Sequence, residues 1–411
     1  MAKILPFKAV RPIRAKAGLV ASRPYEDYSA EELTAQLEHN PYSFLHIINP
    51  GYKFQQNLKG GQRFQMVKNR YLEFKEEGTF IRDKKPAYYI YKVKSRGSSI
   101  SGIIAAASAE DYKEKVIRPH EDTIKDRELL FKDYLKTVGF NTEPVLLTYP
   151  DNQDINCIMR EVMKSRPEYE FATPNRETHY LWVIDQPGLI EKIQKEFENT
   201  SQLYIADGHH RCASSYRLAR ESREANAGHT GEEPYNFFMS YLISESNLKI
   251  HEYSRLISSL NGHSKEEFLI LLDENFRIEN RGLEVYRPSH KHHFNMYLDG
   301  EYYSLYLRKT NYEFSDSLRK LDAYILYQKV LKPILGIEDL RNDKRIAYTH
   351  GRNDLIELKT RVDSGEFAVG FGMLPVSIEE IKEIADENLT MPPKTTYIEP
   401  KLRSGLTIYE F

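Results

Sequence analysis

Apolar residues recur at helical spacing in some stretches of the chain and at extended spacing in others, and these stretches lay out its elements. Ser29 followed by Glu32 has the form of a capping box, and Leu33 and Leu37 continue one face of the helix it opens, until Pro41 stops it. Residues 44–48 read as a short buried strand. Phe64, Val67, Tyr71 and Phe74 predict an amphipathic helix over 62–77. Strands are expected over 88–93 and 100–106, then a helix over 124–138 that Gly139 ends. A second alternating run comes next, with strands over 144–149, 180–184, 203–206 and 237–243 and helices over 156–164, 189–197 and 212–226. The polar stretch 228–234 reads as a surface loop.

Beyond about Leu248 the texture changes to a helix over 265–275 and a hairpin of 292–298 with 302–307. Helices over 316–330 and 353–363, a strand over 367–371 and an extended proline-bearing tail complete the chain. This mixed order points to an α+β fold, not a single doubly wound sheet. It divides into an N-terminal α+β region (1–140), an α/β core (141–247) and a C-terminal α+β region (248–411).

Charge and composition narrow the function. Lys and Arg number 58 against 60 Asp and Glu, a net charge of -2, without the basic excess of a nucleic-acid binder. Cys157 and Cys212 are the only cysteines, as expected of a reducing compartment. The basic N-terminal stretch is interrupted by Pro6 and Pro12 and lacks the apolar segment of a signal peptide. No apolar run approaches the ~18 residues of a membrane span. A soluble, cytoplasmic protein is therefore expected, with no membrane partner. The 29 tyrosines, several of them in apparent strands, suit half-buried pleated surfaces and read as structural.

The chemistry concentrates in Asp207-Gly208-His209-His210-Arg211, between an apolar strand and a helix. Helix N-termini present unpaired N–H groups and partial positive charge, which attract anions. Gly208 allows a sharp turn and close approach, and Arg211 can grip two phosphate oxygens. His209 and His210 can donate to oxygens, and one of them could carry a proton near neutral pH. Asp207 is an oxygen ligand of the kind Mg²⁺ takes beside phosphate.

Weaker candidates are His120-Glu121-Asp122-Thr123 ahead of a helix, Tyr25 and Glu26 in a loop, and Lys394, which could reach an anion. In the proposed hairpin His290 and His292 would share a face and His293 point away, without a partner cluster for a metal. No phosphate loop, dinucleotide fingerprint or nucleophile elbow occurs.

Several segments together carry a family resemblance. They are Ile4–Pro12, Pro24-Tyr25-Glu26, Asn40–His46, Asp111-Tyr112, His120–Thr123, Ile205–Arg211, Met391–Tyr397, Pro400-Lys401-Leu402 and Ser404-Gly405-Leu406. In their order the chain resembles the domain-of-unknown-function family numbered 1015. The Asp-Gly-His-His-Arg box is also similar to that of free serine kinases with the ParB/sulfiredoxin-like fold. That second resemblance implies a mixed α/β core and phosphorylation of a small hydroxyl compound, best L-serine, by ATP, ADP or pyrophosphate with Mg²⁺.

It further implies that Gly208, His209, His210, Arg211 and Lys394 bind phosphate and that Asp207 holds the metal. Tyr25, His120 and Thr123 would contact substrate, His209 would take part in proton transfer, and Glu26 or Glu121 would be the base. Glu26 and Thr395 stand where the family often has Asp and Ser. Two other readings share the same box: a ParB-like nucleotide- or nucleic-acid-binding regulator, and a phosphate-ester or pyrophosphate hydrolase.

Overall fold

A computed structural model describes residues 1–54, 59–350 and 354–411. The chain forms two compact units. The first comprises residues 1–119, 123–248 and 400–411, and the second residues 120–122 and 249–399. Among the described residues no helix is long and apolar enough to cross a membrane.

The first unit is built on a nine-stranded mixed sheet. Its order runs Ile117–Arg118, Leu203–Asp207, Val145–Tyr149, Phe237–Ser244, Ser98–Ser108, Tyr88–Ser95, Thr178–Ile184 and Tyr169–Ala172, and Ile4–Leu5 pairs with Ser98–Ser108. Two pairings are parallel, Leu203–Asp207 with Ile117–Arg118 and Phe237–Ser244 with Val145–Tyr149, and the rest are antiparallel. Strands from both the 1–140 and the 141–247 regions lie in this one sheet, so the two expected regions form a single unit. Hydrogen bonding across the sheet joins what the alternating pattern alone separates.

Alternation explains how the sheet is covered. Tyr88 and Ile90 face a core completed by Ile155 and Met159, Ile193 and Phe197, and Cys212 and Ala219 from three helices. Tyr89 and Tyr91 point to the other face and are also buried. The three helices are Gln153–Val162, Pro187–Glu198 and His209–Ala225.

The second unit has a six-stranded antiparallel sheet. Its order is Phe276–Gly282, Glu301–Leu307, His293–Leu298, Val369–Met373, Tyr253–Ile257 and Ile346–His350. Both units mix helices with largely antiparallel pairing, which is the α+β class.

Three expectations change. Residues 44–48 contain the helix Leu45–Ile48, because a short apolar run carries no period that separates strand from buried helix. The helix over 316–330 is broken into turns at Leu318–Lys320, a short helix Asp322–Leu326 and a wider turn Tyr327–Leu331. At the hairpin, His292 has φ 67° and its ring nitrogen meets Asp322 at 3.0 Å, while His290 and His293 lie with ring centres 5.4 Å apart. Residues 290–292 form a bend and turn ahead of the strand His293–Leu298, so the alternation of a continuous strand does not reach His290 and His292. The helix expected over 353–363 is Asp354–Asp363, and residue 353 lies outside the described residues.

Candidate anion site at a strand-to-helix turn

The strand Leu203–Asp207 ends in a register shift against Val145–Tyr149: Ile205 pairs with Leu147, but Asp207 pairs with Leu146. One extra residue in a strand bends it and re-aims the side chains beyond the bend. Gly208 then adopts φ 95° and ψ 32°, and its carbonyl accepts the first helical bond from Cys212 N at 3.0 Å. A Cβ there would lie 2.9 Å from Arg211 Nε, so the left-handed conformation favours glycine and a larger residue would push the Arg211 guanidinium aside.

The helix His209–Ala225 buries His209, Cys212, Ala213, Ser214, Ser215, Leu218 and Ala219. Its first turn has neither a side-chain cap nor an acidic residue, whereas Ala30–His39, Lys265–Asp273 and Ile378–Asp386 each open with a complete capping box. The positive end of a 17-residue helix is therefore left unneutralised by its own first turn.

Arg211 spans the turn. Its Nη2 donates to Asp207 Oδ2 at 2.9 Å and its Nη1 to the Pro144 carbonyl at 2.6 Å, with Glu143 Oε2 3.5 Å away. On the other side of Asp207, Lys401 Nζ stands 3.5 Å from Oδ1. Burial works to raise the Asp207 carboxyl, but Lys401, Arg211 and His209 outweigh it and hold it below its ordinary value. His209 is pushed down to about 4, by burial first and by His210 and Arg211 next, against the pull of Asp207. It is neutral at pH 7 and acts there as a hydrogen-bonding group, not a cation.

His210 turns toward the neighbouring helix Lys125–Val138, and its Nε2 accepts the Ile124 N–H at 3.0 Å. Thr123 Oγ1 and Arg217 Nε both donate to Glu128, so the hydroxyl singled out as a substrate contact is engaged inside the unit. Tyr25 and Glu26 lie on the exposed turn Tyr25–Asp27 of the first unit. Glu26 makes no hydrogen bond or ion pair to the box among the described residues. His120, Glu121 and Lys394 belong to the second unit. There His120 is buried and its carbonyl accepts from Met391 N. Lys394 is exposed at φ 56°, with Nζ 5.2 Å above the Tyr253 ring.

Sequence reasoning missed Glu143 and Lys401. Glu143 precedes the strand that pairs with Asp207, a partnership that local spacing does not encode. Lys401 lies within a segment the family resemblance covers, but nothing adjacent ties it to the box. Among the described residues no three His, Cys, Asp or Glu side chains converge as a metal cage. Mg²⁺ needs no such cage, because it takes one or two carboxylates and fills its sphere with phosphate oxygens and water. Asp207 is the carboxylate of the box that would hold such a metal, and both its oxygens face cations.

An α+β protein with a cation-flanked helix start at a strand-to-helix turn is the class this geometry defines. The chain belongs to the DUF1015 family of proteins of unknown function, whose model matches residues 4–324. The box lies within that span, and the segments from Met391 onward lie beyond it. No curated protein matches the chain in sequence.

Solved structures similar to it include a free serine kinase variant in complex with AMP, 12% identical with a TM-score of 0.37, covering 77% of this chain and 94% of that one. SbnI with a C-terminal truncation, from Staphylococcus aureus, is 12% identical with a TM-score of 0.38, covering 74% and 87%. A conserved hypothetical protein from Pyrococcus furiosus is 12% identical with a TM-score of 0.35, covering 74% and 94%. Likeness this weak assigns no activity.

Proposed function

We propose that the chain is a phosphotransferase that passes a phosphoryl group to the hydroxyl of a small metabolite, with free L-serine as the acceptor and ATP, ADP or pyrophosphate as donor. The observation carrying this reading is the start of His209–Ala225, where Gly208 at the N-cap has no side chain and Arg211 and Lys401 lie on either side of Asp207. Phosphoryl transfer asks a protein mainly for positioning and charge neutralisation, and this turn offers both.

In the reaction, the acceptor hydroxyl oxygen bonds to the terminal phosphorus and the bond from phosphorus to the leaving phosphate oxygen breaks. The hydroxyl proton passes to a carboxylate, Glu26 or Glu121. Mg²⁺ bound through Asp207 and the phosphates would neutralise the charge of the transferring group. Arg211 and the backbone N–H groups of residues 209–211 orient the phosphate oxygens. Neutral His209 donates a hydrogen bond to them.

Support for Glu26 comes from the antiparallel bridge between Ser22 and Ser404: the chain running forward to Glu26 and the chain running back to Lys401 leave it in the same direction. Lys394 and the substrate roles of Tyr25, His120 and Thr123 remain parts of the same proposal.

The test crosses candidate hydroxyl acceptors with ATP, ADP and pyrophosphate in the presence of Mg²⁺ and reads phosphorylated product. Phosphoserine is expected, whereas release of phosphate alone would make the chain a hydrolase. Asp207→Ala should abolish turnover while the thermal midpoint holds, and full activity in that variant would rule the reading out. Loss of the base costs roughly a hundredfold to ten-thousandfold in rate, so comparing Glu26→Gln with Glu121→Gln identifies it.

A further inference from the structure

Two cations face Asp207, and only Arg211 belongs to the box. The other, Lys401, comes from the segment 400–411, which is fastened into the first unit at several points. Ser404 and Ser22 exchange backbone hydrogen bonds in both directions, at 3.2 and 2.9 Å. The Ser404 hydroxyl donates at 2.9 Å to Glu143, the carboxylate that also stands 3.5 Å from Arg211. Arg403, its side chain only 8% exposed, pairs with Glu177 at 3.2 Å. Farther on, Ile408 and Val10 again exchange backbone hydrogen bonds.

Within this fixed backbone the Lys401–Asp207 pair is comparatively open, with side chains 31% and 41% exposed and a separation of 3.5 Å. So exposed a pair adds little to stability and exchanges readily. A phosphate group carries more charge and more acceptor oxygens than the single carboxylate oxygen it would replace.

We infer that Lys401 is an anion-binding residue of this site: Asp207 holds it beside Arg211, and on ligand arrival both cations transfer to the oxygens of a nucleoside polyphosphate or pyrophosphate. The inference rests on the phosphate-handling reading above. Asp207 and Glu143 balance Arg211 and Lys401, so the four groups exert no net attraction at a distance. Affinity then arises at contact range, when cations leave carboxylates for phosphate. Two cations on opposite sides of one carboxylate suit a ligand with two linked phosphates better than a lone phosphate ion.

Titration calorimetry of the full chain with ADP, pyrophosphate and inorganic phosphate, in chelator and again with Mg²⁺, tests this. Lys401→Ala should weaken ADP and pyrophosphate binding roughly tenfold to a hundredfold, the loss of one charge-assisted contact, and Lys401→Arg should recover part of it. In chelator, Asp207→Asn should bind pyrophosphate at least as tightly as the unaltered chain, since it releases both cations. Unchanged affinity in Lys401→Ala would overturn the inference, whether or not its thermal midpoint falls. So would an Asp207→Asn loss equal to that of Lys401→Ala. If Lys401→Ala does not fold, Lys401→Gln takes its place under the same criteria. If the unaltered chain binds neither ADP nor pyrophosphate in any condition, the phosphate reading itself fails, and the inference falls with it.

Discussion

Gly208 is where backbone conformation and side-chain placement depend on each other most directly. Gly208→Ala would combine left-handed strain with a Cβ 2.9 Å from Arg211 Nε. A cost of about 1 kcal/mol, or about 2–4 °C in thermal midpoint, is expected, together with weaker pyrophosphate binding as Arg211 is displaced. Melting curves beside calorimetry check both.

His209 makes a pH prediction. Burial lowers its folded value to about 4, so below about pH 6.5 the unfolded chain binds the proton and the folded chain does not. Stability is therefore full above about pH 6.5 and falls as the pH drops toward 4, by on the order of 3 kcal/mol. His209→Gln should flatten that slope when urea midpoints are followed between pH 7 and 4.

At this scale the box was legible because its five residues are contiguous, and contiguity makes chemistry visible in a sequence. Glu143 and Lys401 were not, because a pairing register and a returning chain bring them there.

At the level of elements, the helices Lys125–Val138 and His209–Ala225 are clamped by Glu128 with Arg217 and by Lys132 and Lys136 with Glu221. Burial tends to raise Glu128, but Thr123 and Arg217 prevail and lower it. Its contribution is present above the ordinary carboxylate range and is lost as pH falls through the lowered folded value. Glu128→Gln should cost about 1–3 kcal/mol at pH 7 and lose that difference in acid, as denaturant midpoints at pH 7 and 3 would show.

Most strands and helices were legible from periodicity, including Tyr88–Ser95, whose tyrosines alternate between two buried faces. The helix Ile378–Asp386 was overlooked although Ser377 and Glu380 form a complete capping box, a signal that was available. Residues 44–48 misled because a buried turn and a buried strand look alike over so few positions.

On the scale of the whole molecule, long-range pairing decides what local pattern cannot. The expected regions 1–140 and 141–247 share one sheet, and residues 400–411 return to the first unit after the second has intervened in the chain. Leu406, Ile408 and Tyr409 are all buried there. Burying each such side chain is worth about 1.5–3 kcal/mol, and three together rival the roughly 5–15 kcal/mol stability of a typical domain. Removing residues 400–411 should leave the first unit unfolded or aggregated, which circular dichroism and soluble yield would reveal. A chain that kept its full cooperative melt without them would contradict this expectation.

That return has a consequence for biosynthesis. Residues 1–248 emerge from the ribosome carrying Asp207 and Arg211, but the segment that brings Lys401 appears only after residues 249–399 have been translated. At about 5–20 residues per second that delay is roughly ten to thirty seconds. Throughout it the first unit lacks its last pairings and the box lacks its second cation. A prematurely terminated chain would therefore be inactive as well as unstable, and the site would come into being only on molecules whose translation has passed Lys401.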